Sequence, residues 1–224
     1  MKPKLSYTIW FSQRTGSTLL CRALASTGIA GNPSEWLSSD DLLDKYQLDN
    51  YAELQQRLWQ SGSTSNGIFG VKAGICNPYF RNLLNTLKQF PGCNSESQNP
   101  VEIWESICPN CKHIYMTRRN KVRLAVSWWK AIQTQEWHRQ YGQSLQAVDL
   151  ENEYSYQAID HLFAECSMRE AAIQEFLARG SIAPLTIVYE DFIFSYETTI
   201  RKILNYLELP DAERVSIATP AFKN

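Results

Sequence analysis

Arg14-Thr15-Gly16-Ser17-Thr18 puts a permanent cation, a glycine and three hydroxyls into five consecutive residues. Such a set can hold an oxyanion. Glycine lets the backbone come close to a ligand, the hydroxyls donate hydrogen bonds, and the guanidinium offers a planar fork of donors suited to phosphate or sulfate oxygens. A helix beginning beside Gly16 would add unpaired N–H groups and a positive dipole end. An ordinary strand-to-helix turn, with serine as N-cap and a surface arginine, accounts for the same residues without a ligand. Two common phosphate motifs do not fit. The Walker A loop needs Gly-x-x-x-x-Gly-Lys followed by Ser or Thr, and the dinucleotide fingerprint needs three glycines where this turn has only Gly16.

The elements that must position this turn repeat in one order, strand then helix. Aromatic and β-branched runs predict strands at residues 7–11, 68–72, 113–117 and 185–189. Helical spacing follows each: through Leu20 and Leu24 after the first, through Leu83, Leu84 and Leu87 after the second, and through Val122, Ala125, Val126, Trp129 and Ile132 after the third. A long helix is predicted over residues 154–177, with Ile159, Leu162, Phe163, Cys166, Ile173, Phe176 and Leu177 on one stripe, and a last one over 198–207. Short strands alternating with longer helices imply an α/β fold, a parallel central sheet flanked by helices. One domain over residues 1–224 is expected, with a Gly-, Pro-, Asn- and Cys-containing insertion at about 91–112. In such sheets ligands sit beyond the carboxyl ends of the strands, which gathers Arg14, Lys72, Arg118 and Arg119 at one edge.

A net charge of -1 and a pI near 6.3 argue against a broad basic surface for nucleic acid or membrane, so anion recognition must be local, and 44% hydrophobic residues suffice for a sizeable core. The apolar run after Lys4 is too short for a signal peptide or a membrane span, and the expectation is a cytoplasmic protein. Six cysteines then read as reduced thiols. Cys108-Pro109-Asn110-Cys111 nevertheless has the spacing of a zinc knuckle, which Cys93 and Cys76 could complete. Of the three histidines, His113 heads a strand and His161 lies within a long helix, while His138 follows Gln135-Glu136-Trp137.

Taken together, the blocks resemble a known family. The turn from Ser12 to Leu20 is similar to the 5′-phosphosulfate loop of sulfotransferases that use 3′-phosphoadenosine 5′-phosphosulfate (PAPS), and Thr117-Arg118-Arg119 with Ala125-Val126-Ser127-Trp128-Trp129 resembles their 3′-phosphate motif. The pattern is that of the Stf0 family, bacterial sulfotransferases typified by trehalose 2-sulfotransferase. Further similarity lies in residues 27–35, 66–72, 131–137 and 188–191. The resemblance implies a P-loop-like sulfotransferase fold and sulfuryl transfer from PAPS to a carbohydrate or glycolipid hydroxyl, with PAP as product and no metal. It assigns Arg14 to the bridging and 5′-phosphate oxygens, where many sulfotransferases have lysine, and Thr15, Gly16, Ser17 and Thr18 to the same phosphate. Arg118 and Ser127 fall to the 3′-phosphate, their spacing of nine matching Stf0; the spacing of eight in cytosolic sulfotransferases would select Arg119 instead.

By the same resemblance Glu35 is the general base, a role that partial burial against Trp36 would favour. His138 is the second candidate in the site. Trp129 reads as core by its helical spacing, and Lys72 either faces the sulfonate or simply ends its strand. A homodimer is also implied. The chain ends at Asn224, where family members continue into another basic segment, so truncation is an open expectation. Two alternatives stand beside the sulfotransferase: a P-loop-type nucleotide kinase or hydrolase, and a non-catalytic binding or redox module built on the cysteine segment. The acceptor-choosing loops, 35–51 and 139–152, carry no informative motif.

Overall fold

The computed structural model describes residues 1–138 and 154–219. Four strands, β1 (Leu5–Phe11), β2 (Ile68–Ala73), β3 (Cys111–Thr117) and β4 (Leu185–Val188), form one sheet in the order β2-β1-β3-β4. All pairs are parallel, with Trp10 beside Ala73 on one side and Tyr115 on the other. The four predicted strands are thus the four observed, each within two residues at either end.

A parallel sheet needs both faces covered. On one face Trp10, Phe69, Val71 and Tyr115 pack beneath α3 (Tyr51–Gly62), α4 (Tyr79–Leu87), α5 (Pro100–Glu105) and part of α7 (Tyr156–Arg179). On the other, Tyr7, Ile9, Ile114, Met116 and Ile187 meet α1 (Ser17–Ser26), α8 (Tyr189–Phe194) and α9 (Tyr196–Tyr206). The short α2 (Leu42–Tyr46) and α6 (Lys121–Thr134) complete the helices of the described residues. Local chemistry sets several starts: Asp41, Asn50, Asn99, Asn120 and Ser155 each accept a backbone N–H of the first turn of their helix.

Three features differ from the sequence reading. The segment read as an insertion contributes Ile103, Trp104, Ile107 and Cys108 to the core and supplies the first two residues of β3, Cys111 and Lys112. In α6 the buried face is Leu124, Ala125, Trp128, Trp129 and Ala131, whereas Val122 and Ile132 are exposed, because α7 packs one step around the helix from the predicted stripe. Tyr189 starts α8 instead of ending β4. In α7 the predicted stripe holds except at Phe163, which is exposed.

The order β2-β1-β3-β4 has its switch point between β1 and β3, since the chain leaves β1 toward one side for β2 and later returns on the other for β3. A crevice at the carboxyl ends of these two strands is where such sheets receive ligands. Directly beneath it, Glu170 of α7 accepts from Ser12 Oγ at 3.1 Å and from Thr117 Oγ1 at 3.2 Å, and Lys121 Nζ lies 2.5 Å from its other oxygen. The acid is 7% exposed, so these donors must replace its water. They tie the ends of β1 and β3 together.

Candidate active site

After Phe11 the chain turns through Arg14 and Gly16, both with left-handed φ, 65° and 83°. Gly16 is the N-cap position of α1, and no side chain caps that helix. Its first backbone bond is from Leu20 N–H to the Gly16 carbonyl at 3.1 Å, so the N–H groups of Ser17, Thr18 and Leu19 face out of the helix end. The serine N-cap of the ligand-free reading is not formed. A side chain at Gly16 is barred by space as well as by φ, for a Cβ there would lie 2.6 Å from the Tyr189 ring. Thr15 is fully buried and donates to the Ser12 carbonyl at 2.8 Å, fixing the turn from within; Ser17 is buried too.

Arg14 and Arg118 converge over this turn. Arg14 Nε donates to Ser127 Oγ at 3.1 Å, another of its nitrogens donates to the Trp137 carbonyl, and Arg118 Nη1 lies 3.5 Å from the Arg14 carbonyl. The Arg118 guanidinium carbon lies over the Tyr189 ring, 4.5 Å from its centroid. Its Nε–H is buried without a hydrogen-bond partner, the nearest carboxylate oxygen, on Glu190, being 3.7 Å away. Burial, and next the charge of Arg118, lower the pKa of the Arg14 guanidinium, which remains cationic throughout the ordinary pH range. Two guanidinium groups on one turn, one of them with an unfilled donor, can together receive an anion.

On the other side of the turn, Lys72 at the end of β2 is 7% exposed. Its Nζ is 2.6 Å from Glu35 Oε1 and 3.0 Å from Thr18 Oγ1, over the Phe11 ring. Glu35 reaches it because residues 31–35 run along the outer edge of β2. Ser34 pairs with Val71, and Lys72 N–H donates to the Ser34 carbonyl at 2.9 Å. Gly31 permits that approach, since a Cβ there would meet the Ile68 carbonyl oxygen at 2.8 Å. The expected burial of Glu35 by Trp36 does not occur. Glu35 is 45% exposed, and the Trp36 indole turns away to donate to the Asn32 carbonyl.

Arg119 points elsewhere. It is 63% exposed, pairs with Asp191 at 2.9 Å, and leaves its backbone N–H to Glu190. His138 lies within electrostatic reach of Arg14, Lys72 and Glu35. Burial and then the charges of Arg14, Lys72 and Arg22 hold its pKa below the usual histidine value. His113 is buried in the core, and Trp128 and Trp129 are buried under α7, whereas Trp137 is partly exposed. Among the described residues no group of three or more His, Cys, Asp or Glu converges as a metal site, and Cys76 and Cys93 do not join Cys108 and Cys111. The loop 139–152 and the last residues, 220–224, lie outside the described residues.

Sequence reasoning gave no role to Tyr189, Glu190 or Glu170. Glu170 had a signal: a lone acid on an apolar helical stripe between Cys166 and Ile173.

The Stf0 sulphotransferase family model matches residues 6–223. The trehalose 2-sulfotransferase of Mycobacterium tuberculosis is 27% identical over 212 residues, covering 82% of this chain and 76% of that protein. Its counterpart from Mycolicibacterium smegmatis is 24% identical, covering 82% and 77%. Among solved structures, a sulfotransferase from Alicyclobacillus acidocaldarius superposes with a TM-score of 0.50 over 99% of this chain and 86% of its own, at 12% identity, a likeness of fold alone. With a family model spanning nearly its whole length, the chain belongs to the Stf0 sulphotransferase family.

Proposed function

We propose that this protein transfers the sulfuryl group of PAPS to a carbohydrate hydroxyl, with Glu35 as general base and Arg14 as the main stabiliser of the leaving oxygen. The observation that carries the proposal is the meeting of Arg14, Arg118 and Ser127 beside the uncapped start of α1. A donor with phosphates at both ends of its ribose needs two anion loci a short way apart, and the residues fit. The out-facing N–H groups of α1, with Thr15, Gly16, Ser17, Thr18 and Arg14, suit the 5′-phosphosulfate. Arg118, with its unfilled Nε–H, and Ser127 suit the 3′-phosphate.

Bound there, the donor supplies the sulfuryl group and a phosphate leaving group. The work left to the chain is alignment and charge stabilisation. Glu35 takes the proton of the acceptor hydroxyl as its oxygen attacks sulfur. Arg14 and the helix N-terminus meet the charge growing on the oxygen that departs. Lys72, touching both Glu35 and Thr18, holds the base at the edge of the phosphosulfate turn. The relatives' names, which specify a 2-hydroxyl of trehalose, support a sugar as acceptor class. By resemblance we place the enzyme in the bacterial cytoplasm, as a homodimer working without metal.

Calorimetry with PAP and with magnesium ATP tests the donor: PAP binding is expected, and magnesium-dependent ATP binding without PAP binding overturns the proposal in favour of a nucleotide kinase or hydrolase. For the base, Glu35→Gln should lower kcat by about 10²–10³-fold with PAP affinity unchanged. A variant with full transfer activity would remove Glu35 from that role.

A further inference from the structure

Cys108 and Cys111 flank the turn into β3, away from the proposed sulfuryl site, and Asn110 between them adopts a left-handed φ of 50°. Both thiols lie near Thr8 Oγ1, at 3.8 Å for Cys108 and 3.3 Å for Cys111. The surrounding donors are ordered by their own partners. Trp104 Nε1–H donates to Thr8 Oγ1 at 2.9 Å, so the hydroxyl hydrogen is left for a sulfur: Thr8 donates to Cys108, while its shorter sulfur contact is to Cys111. Trp10 Nε1–H donates to His113 Nδ1 at 2.9 Å, which orients the ring two residues along the strand from Cys111, on the same face of the sheet. The Thr8 hydroxyl thus lies between two sulfurs three residues apart in the chain.

We propose that Cys108 and Cys111 are a peroxide-responsive dithiol, in which Cys111 is the attacking sulfur and Cys108 the resolving one. Cys111 is partly exposed while Cys108 is fully buried, which suits the order. The titration tendencies agree with it. Burial would raise the Cys111 thiol, but the hydrogen bonds from Cys108 and His113, with Thr8, outweigh it and hold it well below the ordinary cysteine value. Burial, with the bond and charge of Cys111, pushes Cys108 well above its own. Cys76, Cys93 and Cys111, all partly exposed, each lie near the carbonyl of the next residue, at 4.0, 3.8 and 3.5 Å, and of the three it is Cys111 that also meets the Thr8 hydroxyl.

The step balances with a hydroperoxide as oxidant. The Cys111 thiolate attacks one peroxide oxygen, the O–O bond breaks, and the departing oxygen takes a proton, leaving an alcohol or water and a sulfenic acid on Cys111. Cys108 sulfur then attacks Cys111 Sγ, the S–OH bond breaks, and water leaves with the Cys108 proton. Two thiols lose two electrons to one peroxide, and an added dithiol restores them.

The test uses the full chain, treated with hydrogen peroxide, quenched in acid with a thiol-blocking reagent and mapped by mass spectrometry without reduction. The expected product is an internal Cys108–Cys111 disulfide, reversed by dithiothreitol and formed about tenfold faster than any change at Cys76 or Cys93 at pH 6. In Cys108→Ser, a Cys111 sulfenic acid should accumulate and be trapped by dimedone. Oxidation at Cys76 or Cys93 ahead of the pair, a pair that stays reduced, or stoichiometric zinc in the untreated protein each overturns the proposal. The wild-type map decides even if the variant does not fold.

Discussion

Two strand-to-helix turns stand side by side at the switch point, one leading from β1 into α1 and the other from β3 into α6, and they are finished differently. The second satisfies itself. Asn120 Oδ1 takes the Arg123 N–H at 2.8 Å, and the Glu190 carboxylate takes the N–H groups of Arg119 and Asn120 at 2.9 and 3.2 Å. The first has a glycine where Asn120 sits, no capping side chain, and two arginines and a lysine around it. A protein can supply its own carboxylate to a helix start at little cost. An open start crowded with cations is what the proposed donor would require. Glu190, placed where it holds Arg119 and Asn120, also shows what an oxyanion does at such a turn.

The widest contrast lies at Gly16, and filling it should have the largest effect. In Gly16→Ala the new methyl would enter the space of the Tyr189 ring at a φ that alanine disfavours. A loss of about 2–4 kcal/mol in urea unfolding is expected, from strain and overpacking together. Tyr189 also carries Arg118, so PAP binding measured well below the unfolding transition should fall as well. An alanine variant of native stability and affinity would mean that the turn is not as tightly held as its contacts imply.

Much of this was legible in the residues. The strands announced themselves through dense aromatic and β-branched runs, and the turn at Gly16 through a glycine and hydroxyls at a strand end. Arg14, Arg118 and Ser127 were all named from sequence, as was Glu35. What stayed hidden depends on which neighbour a side chain meets. Val122 and Leu124 are equally apolar, and only the placement of α7 decides that Leu124 is buried and Val122 is not. Tyr189 looked like the last residue of a strand, yet it forms one wall behind Gly16 and a platform for Arg118, contacts made across more than 70 residues of chain. Glu35 has a partner that its sequence did not suggest, since an edge-strand contact through Ser34 delivers it to Lys72.

Glu190 offers a gentler way to break the contrast. Burial raises the pKa of its carboxyl, but the backbone N–H bonds from Arg119 and Asn120 and the charge of Arg118 lower it further, for a net depression. A depressed folded value means stability that is present above the ordinary carboxylate range, about pH 4.3, and is lost as pH falls through the folded value. Glu190→Gln should therefore cost about 1–2 kcal/mol at neutral pH, and the gap from wild type should close in acid. A gap constant from pH 7 to pH 3 would show that the carboxylate charge contributes nothing to this turn.

The smallest effect is expected at Arg119, and it sharpens the comparison most. Arg118 and Arg119 are adjacent, and spacing alone offers either to a 3′-phosphate. Their surroundings separate them. Arg118 is mostly enclosed, set over the Tyr189 ring and left with an N–H that has no hydrogen-bond partner; Arg119 is exposed and already paired with an exposed Asp191. An exposed pair contributes about 0–0.5 kcal/mol, so Arg119→Ala should leave stability and PAP affinity within about threefold of wild type. Arg118→Ala should weaken PAP by about 30-fold or more, since it removes a charge-assisted contact from an enclosed site. The reverse ranking would move the 3′-phosphate to the self-satisfied turn, where it would have to displace Asp191, and the distinction between an open and a closed helix start would lose its functional meaning.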